Sequence, residues 1–369
     1  MKIKTITCHD VYNVGASLQA YALQTYLTSL GNDVEIIDYK PDYLSNHYNL
    51  KSVSNPAFNK PFIREAYLLA KLPNRLKALK GDRKKDFDNF REKYLKLTKR
   101  YSSVDELRKN PPEADLYFAG SDQIWNTFFK NGKDPAFYLD FGNDSTKKAS
   151  YAASFSTETV PDEYKEQISN WLNALDYISV RESSGLNVLK SLGIENGVQV
   201  FDPVFLLDKD IWEQFDLSSN EDDYVLVYDF DGNQNIKEIA KKIASEKKCK
   251  IYSIQNFEYP DKCFNQSGPI EFLKLIKNAK YVVSNSFHAT AFSIIFGKQF
   301  WVLNRGEAIN TRMHDLTESL GILDRLVETK DDIDLESKID FELVYQKLNP
   351  MISESKKYIN TVLEGVNND

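Results

Sequence analysis

The sequence predicts an α/β protein of two Rossmann-like domains facing a cleft, with a helical insertion in the first domain and a C-terminal helix. Three observations carry that expectation. Apolar runs of four to six residues recur in both halves, among them 34–39 (VEIIDY), Tyr224–Tyr228 and Tyr281–Ser284. Segments with helical spacing separate them, which is the β-α-β rhythm that builds parallel sheets. The length of 369 residues, 42% of them hydrophobic, suits two cores of ordinary size.

In chain order, residues 2–7 read as the first strand. The turn 9–15 leads into a helix in which Leu23, Leu27 and Leu30 share one face and Gly31 sits where a helix-ending glycine belongs. Strand 34–39 closes this unit. Residues 40–115 are rich in Lys, Asn and Pro, with helices expected at 62–79 and 84–94, so a helical insertion is placed at about 45–110. Strands are expected at 115–119 and 148–155, then a helix with Ile168, Trp171, Leu172 and Leu175 on one face. Strand 177–180, helix 182–192 and strand 198–201 complete a first domain over 1–207. The acidic stretch 208–223 reads as a linker.

The second domain, 224–340, repeats the rhythm more tightly. Strands are expected at 224–228, 250–253, 281–284 and 299–303, with helices carrying the Ile236–Ile239–Ala240–Ile243–Ala244 stripe, residues 270–278 and His288. Leu348, Ile352, Ile359 and Leu363 form the apolar face of a helix within 341–369, expected to pack back on the first domain.

A net charge of −7 and a pI near 5.4 disfavour a nucleic-acid partner, so an anionic ligand must meet a local cluster of Arg and Lys. Cys8, Cys249 and Cys263 have no metal-ligand spacing and suit a reducing cytosol. With four His and neither CxxC nor HExxH, no metal site is expected. The first turn lacks GxGxxG, so no dinucleotide cofactor is expected. No secretion peptide is visible in MKIKTITCHDVYN, and no run approaches the roughly 18 apolar residues of a membrane span. A cytoplasmic chain follows, whose Lys-rich helices leave peripheral contact with the inner face of the cell membrane open.

Ligands of such sheets bind beyond the carboxyl ends of the strands, where Asn13, Ser121, Arg181 and His288 fall. In 280–296 (KYVVSNSFHATAFSIIF), a buried strand breaks at Ser284-Asn285-Ser286 and a helix follows. His288 lies in its first turn, where unpaired N–H groups favour anions and disfavour an imidazolium. A neutral His beside an anion site is an acid/base candidate; the bland alternative is a capped helix with a filler His. Asn13 and Gly15 form a turn able to receive an anion at the next helix. Ser121, Asp122 and Gln123 offer hydrogen bonds to sugar hydroxyls, with Trp125 placed to stack on a sugar, or else form a polar turn. Arg181 follows a strand and either grips an anion or pairs with Glu182 or Asp202. Arg305, Arg312 and Arg325 are further anion contacts, Arg312 the best placed. Asp202-Pro203 reads as a hinge turn.

The segments YNVGASLQAYALQTYL…GNDVEIIDY, DLYFAGSDQIWN…YLDF…KKASYAASF, ISVRESSG…VFDPVFLL, VVSNSFHATAFSIIFGKQF and NTRMHDLTESLGILDR together resemble the polysaccharide pyruvyl transferase family, in order and over nearly the whole chain except about 45–110. The resemblance implies a GT-B-like fold. It also implies transfer of pyruvate from phosphoenolpyruvate to two hydroxyls of a cell-surface polysaccharide precursor, forming a cyclic ketal. His288 would then be the general acid/base, Arg181 a catalytic anion contact, and Asn13, Gly15, Ser286 and Arg312 the donor site. Ser121, Asp122, Gln123 and Trp125 would bind the acceptor sugar, with a lipid-linked oligosaccharide among the candidates. Many members read Arg-Leu-His where this chain has Ser286-Phe287-His288, and many carry an acid where it has Ala16. Two other readings stay open: a GT-B-like glycosyltransferase using a nucleotide sugar, and a non-catalytic glycan-binding member.

Overall fold

The structure, a computed structural model, describes the chain apart from residues 45–47, 54–57, 59, 61, 144, 220, 221, 306–310 and 369. Strand β1 (Lys2–Ile6), helix α1 (Val14–Ser29) and strand β2 (Asp33–Tyr39) form the expected opening unit. Helices α2 (Ile63–Leu79) and α3 (Asp82–Tyr94) follow, then β3 (Leu97–Tyr101), α4 (Val104–Lys109), β4 (Leu116–Ala119) and β5 (Lys147–Ser150). The five strands make a parallel sheet in the order β3-β2-β1-β4-β5. After α5 (Asp162–Asn173) come β6 (Ser179–Val180), α6 (Ser183–Ser191) and β7 (Val198–Gln199). β6 and β7 pair with each other and extend the first sheet through bridges from Ala149 to Tyr177 and Ala153 to Val180.

Short helix α7 (Lys209–Glu213) leads to β8 (Tyr224–Tyr228), α8 (Gln234–Lys247), β9 (Lys250–Ser253) and β10 (Lys262–Cys263). Then follow α9 (Pro269–Asn278), β11 (Tyr281–Ser284), α10 (Phe287–Ile295), β12 (Gln299–Val302), α11 (Thr311–Ser319) and the long α12 (Phe341–Asn368). This second sheet is also parallel, in the order β10-β9-β8-β11-β12. Its central strands β8 and β11 are apolar on both faces because helices cover both.

Three local differences from the sequence reading have physical causes. β3 lies inside the expected helical insertion: LTKRY is a sheet-edge strand with exposed Lys99 and Arg100, so its apolar signal is weak. The expected strand 148–155 ends at Ser150, and Ala152 takes a left-handed φ of 49° that no strand accommodates. The acidic stretch read as a linker contains α7, and its Trp212 is fully buried. That indole stands 5.7 Å from Tyr21 of α1 and 4.9 Å from Phe292 of α10, tying the two halves together through apolar contact. α12 crosses back to the first half. There Tyr358 donates to the Ser150 carbonyl at 2.9 Å, and Ser355 Oγ accepts from Phe201 N at 2.9 Å.

Candidate active site

The loops that follow β1, β4, β8 and β11 line one cavity of about 650 Å³. Two helix N-termini meet at its floor. Asn13 caps α1, its Oδ1 accepting from Gly15 N at 2.9 Å and Ala16 N at 3.2 Å. Ser286 caps α10, its Oγ accepting from Ala289 N at 3.4 Å.

His288 stands in the first turn of α10 with its ring against the backbone of α1. A Cβ at position 15 would lie 2.0 Å from Nδ1, so glycine is there to let the imidazole in. Nε2 lies 3.7 Å from Asp202 Oδ2, is shielded from solvent and has no hydrogen-bond partner. Burial pushes the His288 pKa below its ordinary 6.5, with Arg181 and Arg312 adding to the fall against the pull of Asp202 and Asp122. The ring is therefore neutral at pH 7.

Two buried arginines flank Phe287, their guanidiniums 4.9 Å (Arg181) and 5.7 Å (Arg312) from its ring centre. They differ in their partners. Arg181 donates to Asp202 at 2.7 Å and stands near Glu182 and Asp122. Among the described residues no carboxylate pairs with Arg312, and its buried Nε has no hydrogen-bond partner. Burial and the neighbouring Arg181 bring the Arg312 pKa down to about 10. A buried cation in that state is stabilised by any anion that reaches it.

Asn13, Asp122, Gln123, Ser286, His288 and Arg312 all line the cavity. Four of the residues assigned catalytic, donor or acceptor roles do not, the first being Gly15, which packs against the His288 ring. Ser121 is fully buried and donates to the Ala152 carbonyl at 2.7 Å, so it closes the loop instead of reading a ligand. Trp125 is 0% exposed, stacked on Tyr138 at 5.5 Å with its N–H donated to the Phe137 carbonyl. A ring held on both sides cannot stack on a sugar. Arg181 sits behind the cavity wall in a smaller pocket beside Asp202, matching the structural-pair alternative. Asp202 is buried with it and also accepts from Val204 N at 3.1 Å, so it is an ion-pair partner as well as a turn residue. Asn310 of the expected Asn310-Thr311-Arg312 helix start lies outside the described residues.

Phe129, Asn131, Phe230 and Asn285 line the cavity without having been singled out in sequence. Phe129 and Phe230 are 48% and 41% exposed, a position for large apolar rings that packing does not require. The nearest sequence signal was the polar cluster around Gln123, five residues from the double phenylalanine Phe128-Phe129.

A family model described as polysaccharide pyruvyl transferase matches residues 13–307. No curated protein matches the chain. Among solved structures, the S. aureus MnaA–UDP co-structure superposes with a TM-score of 0.53 at 12% identity, covering 99% of this chain and 97% of that one. A UDP-N-acetylglucosamine 2-epimerase from Rickettsia bellii gives 0.48 at 13% identity, over 100% and 97%. With two five-stranded parallel sheets meeting at a cleft, the architecture is GT-B-like.

Proposed function

The chain belongs to the polysaccharide pyruvyl transferase family, and from that membership we propose that it moves the pyruvyl group of phosphoenolpyruvate onto two hydroxyls of a polysaccharide-precursor sugar. The observation that carries the reading is the buried Arg312, which no carboxylate among the described residues pairs with, beside a neutral His288 at two converging helix N-termini. Phosphoenolpyruvate brings a phosphate and a carboxylate to such a place. Arg312, the α10 N-terminus and Ser286 hold the donor, and Asn13 keeps the α1 end in position.

The donor methylene takes a proton, C2 gains two C–O bonds from the sugar, and its bond to the phosphate oxygen breaks. Of the two protons lost by the hydroxyls, one ends on the new methyl group and one on phosphate. His288 shuttles these protons through Nδ1, with the Asp202 carboxylate 3.7 Å behind Nε2 favouring the imidazolium when it forms. Arg181 acts at one remove, by fixing Asp202. Asp122, Gln123 and Asn131 read sugar hydroxyls, and Phe129 and Phe230 supply the apolar face first assigned to Trp125.

The test is a donor panel, with sugar acceptors read by mass spectrometry. A pyruvyl adduct appearing with phosphoenolpyruvate alone is the expected result. Adducts or thermal stabilisation from UDP, CMP or GDP sugars, with none from phosphoenolpyruvate, would assign the cleft to a glycosyltransferase. Glycan binding with no turnover from any donor would make it a binding member.

A further inference from the structure

Helix α2 has no counterpart in the second half of the chain, and its surface is unusual. It runs for 17 residues with none of them buried. Phe62, at its start, is 90% exposed, Leu69 69% and Leu76 43%. These three stand seven residues apart, and Ala66 and Pro73 fall between them, so one nearly straight apolar stripe faces outward. The opposite side is held to the protein: Arg75 donates to the carbonyls of Leu50 and Ser52, and Arg64 to that of Lys51. The stripe is therefore not an unfolded loop but the outer face of a docked helix.

Its charge runs against that of the molecule. Residues 60–85 contain nine Lys or Arg and two acids, in a chain whose net charge is −7. Lys77 and Lys80 are exposed and fall beside the stripe, whereas exposed Lys71 lies on the far side of the helix. Apolar side chains bordered by lysines, at low overall hydropathy, are what an interfacial helix needs. The apolar stripe enters the acyl boundary while the long lysine stems reach back to anionic headgroups. No described helix is long and apolar enough to cross a membrane. The mode available is to lie on the surface.

The helix reaches the cavity through Arg75, which lines it together with Ser52, Leu44 and Tyr43 of the preceding segment. We infer that α2 docks this chain on an anionic phospholipid bilayer, with the mouth of the cleft held at the lipid surface. The inference deepens the pyruvyl-transfer reading and rests on it for its purpose, which is to meet acceptor sugars carried on a lipid. The docking itself stands on exposure and charge alone.

The test is co-sedimentation of the full chain with vesicles of equimolar phosphatidylglycerol and phosphatidylcholine, against phosphatidylcholine alone. Binding is expected to the mixed vesicles alone and to weaken with added salt. Leu69→Ser with Leu76→Ser, and separately Lys77→Glu with Lys80→Glu, should each weaken it about tenfold or more. The thermal midpoint should stay put, since all four side chains are exposed. Transfer to a water-soluble acceptor should also be unchanged, so failure of docking and failure of the transfer reading are told apart. Equal binding to phosphatidylcholine alone, or variants that bind as well as the parent, would overturn the inference. So would a dimer that dissolves in the leucine variant without any vesicle binding, which would assign the face to a second copy.

Discussion

The order β3-β2-β1-β4-β5 of the first sheet reappears as β10-β9-β8-β11-β12 in the second, yet the two walls of the cleft differ in chemistry. After β4 the first half presents Asp122 and Gln123, with Phe129 and Asn131 just beyond. At the equivalent place after β11, the second half presents Asn285, Ser286 and His288, with Arg305 and Arg312 alongside and no carboxylate among its described lining residues. Beside the cleft the second half brings two arginines and no described lining carboxylate, whereas the first half brings Asp122, Gln123 and Asn131 together with Arg75. The duplicated architecture leaves each half free to specialise, because a Rossmann-like sheet delivers its loops to the same edge whatever residues they carry.

The most severe way to break this division is His288→Ala. Removing an acid/base group should lower transfer by about 10²–10⁴-fold, while a circular-dichroism melt stays cooperative. Retention of full activity would return His288 to the status of a filler.

Next comes the support behind the second wall. Asp202→Ala removes the one carboxylate in hydrogen-bond contact with buried Arg181, leaving Glu182 and Asp122 at 3.9 and 4.0 Å, and should lower unfolding stability by up to about 3–5 kcal/mol in a urea titration. Arg312→Met removes a cation that has no such partner among the described residues, so it should leave stability little changed or raised. Equal losses in the two variants would erase the contrast between the arginines.

Gly15→Ala probes the contact between the halves. The added methyl overlaps the imidazole, and overpacking of this sort costs roughly 1–3 kcal/mol. Activity should fall with it, because the ring must move. An unperturbed variant would mean that the approach of α1 to His288 is loose.

The smallest effect is a pH slope. His288 has its pKa depressed on folding, so its neutral form contributes stability that is fully present above the unfolded value of about 6.5. That contribution is lost as pH falls through the window below it, toward the lower folded value. Urea titrations between pH 8 and 5 should show a shallower decline in His288→Gln than in the parent.

Much of this division could be read from the chain. The strands at 34–39, 224–228 and 281–284 are continuous apolar runs, and their loops had to emerge at one edge. His288 was legible because a capped helix follows its strand directly. What escaped depends on partners distant in sequence. Which of Arg181 and Arg312 pairs with Asp202 is a tertiary fact that no local signal carries. Trp125 sits next to polar residues yet is enclosed by Tyr138 and Phe155, and nothing local announces that. β3 was hidden because an edge strand carries charges on purpose. The role of Trp212 was masked by the acidic residues around it.

The most direct test of Arg312 as the donor's anion contact is a calorimetric titration of phosphoenolpyruvate into the parent chain and into Arg312→Met. The account predicts saturable binding to the parent and a loss of about tenfold or more in the variant, the scale of one charge-assisted contact. Equal affinity in the two proteins, or binding of a UDP-sugar in place of phosphoenolpyruvate, would contradict it.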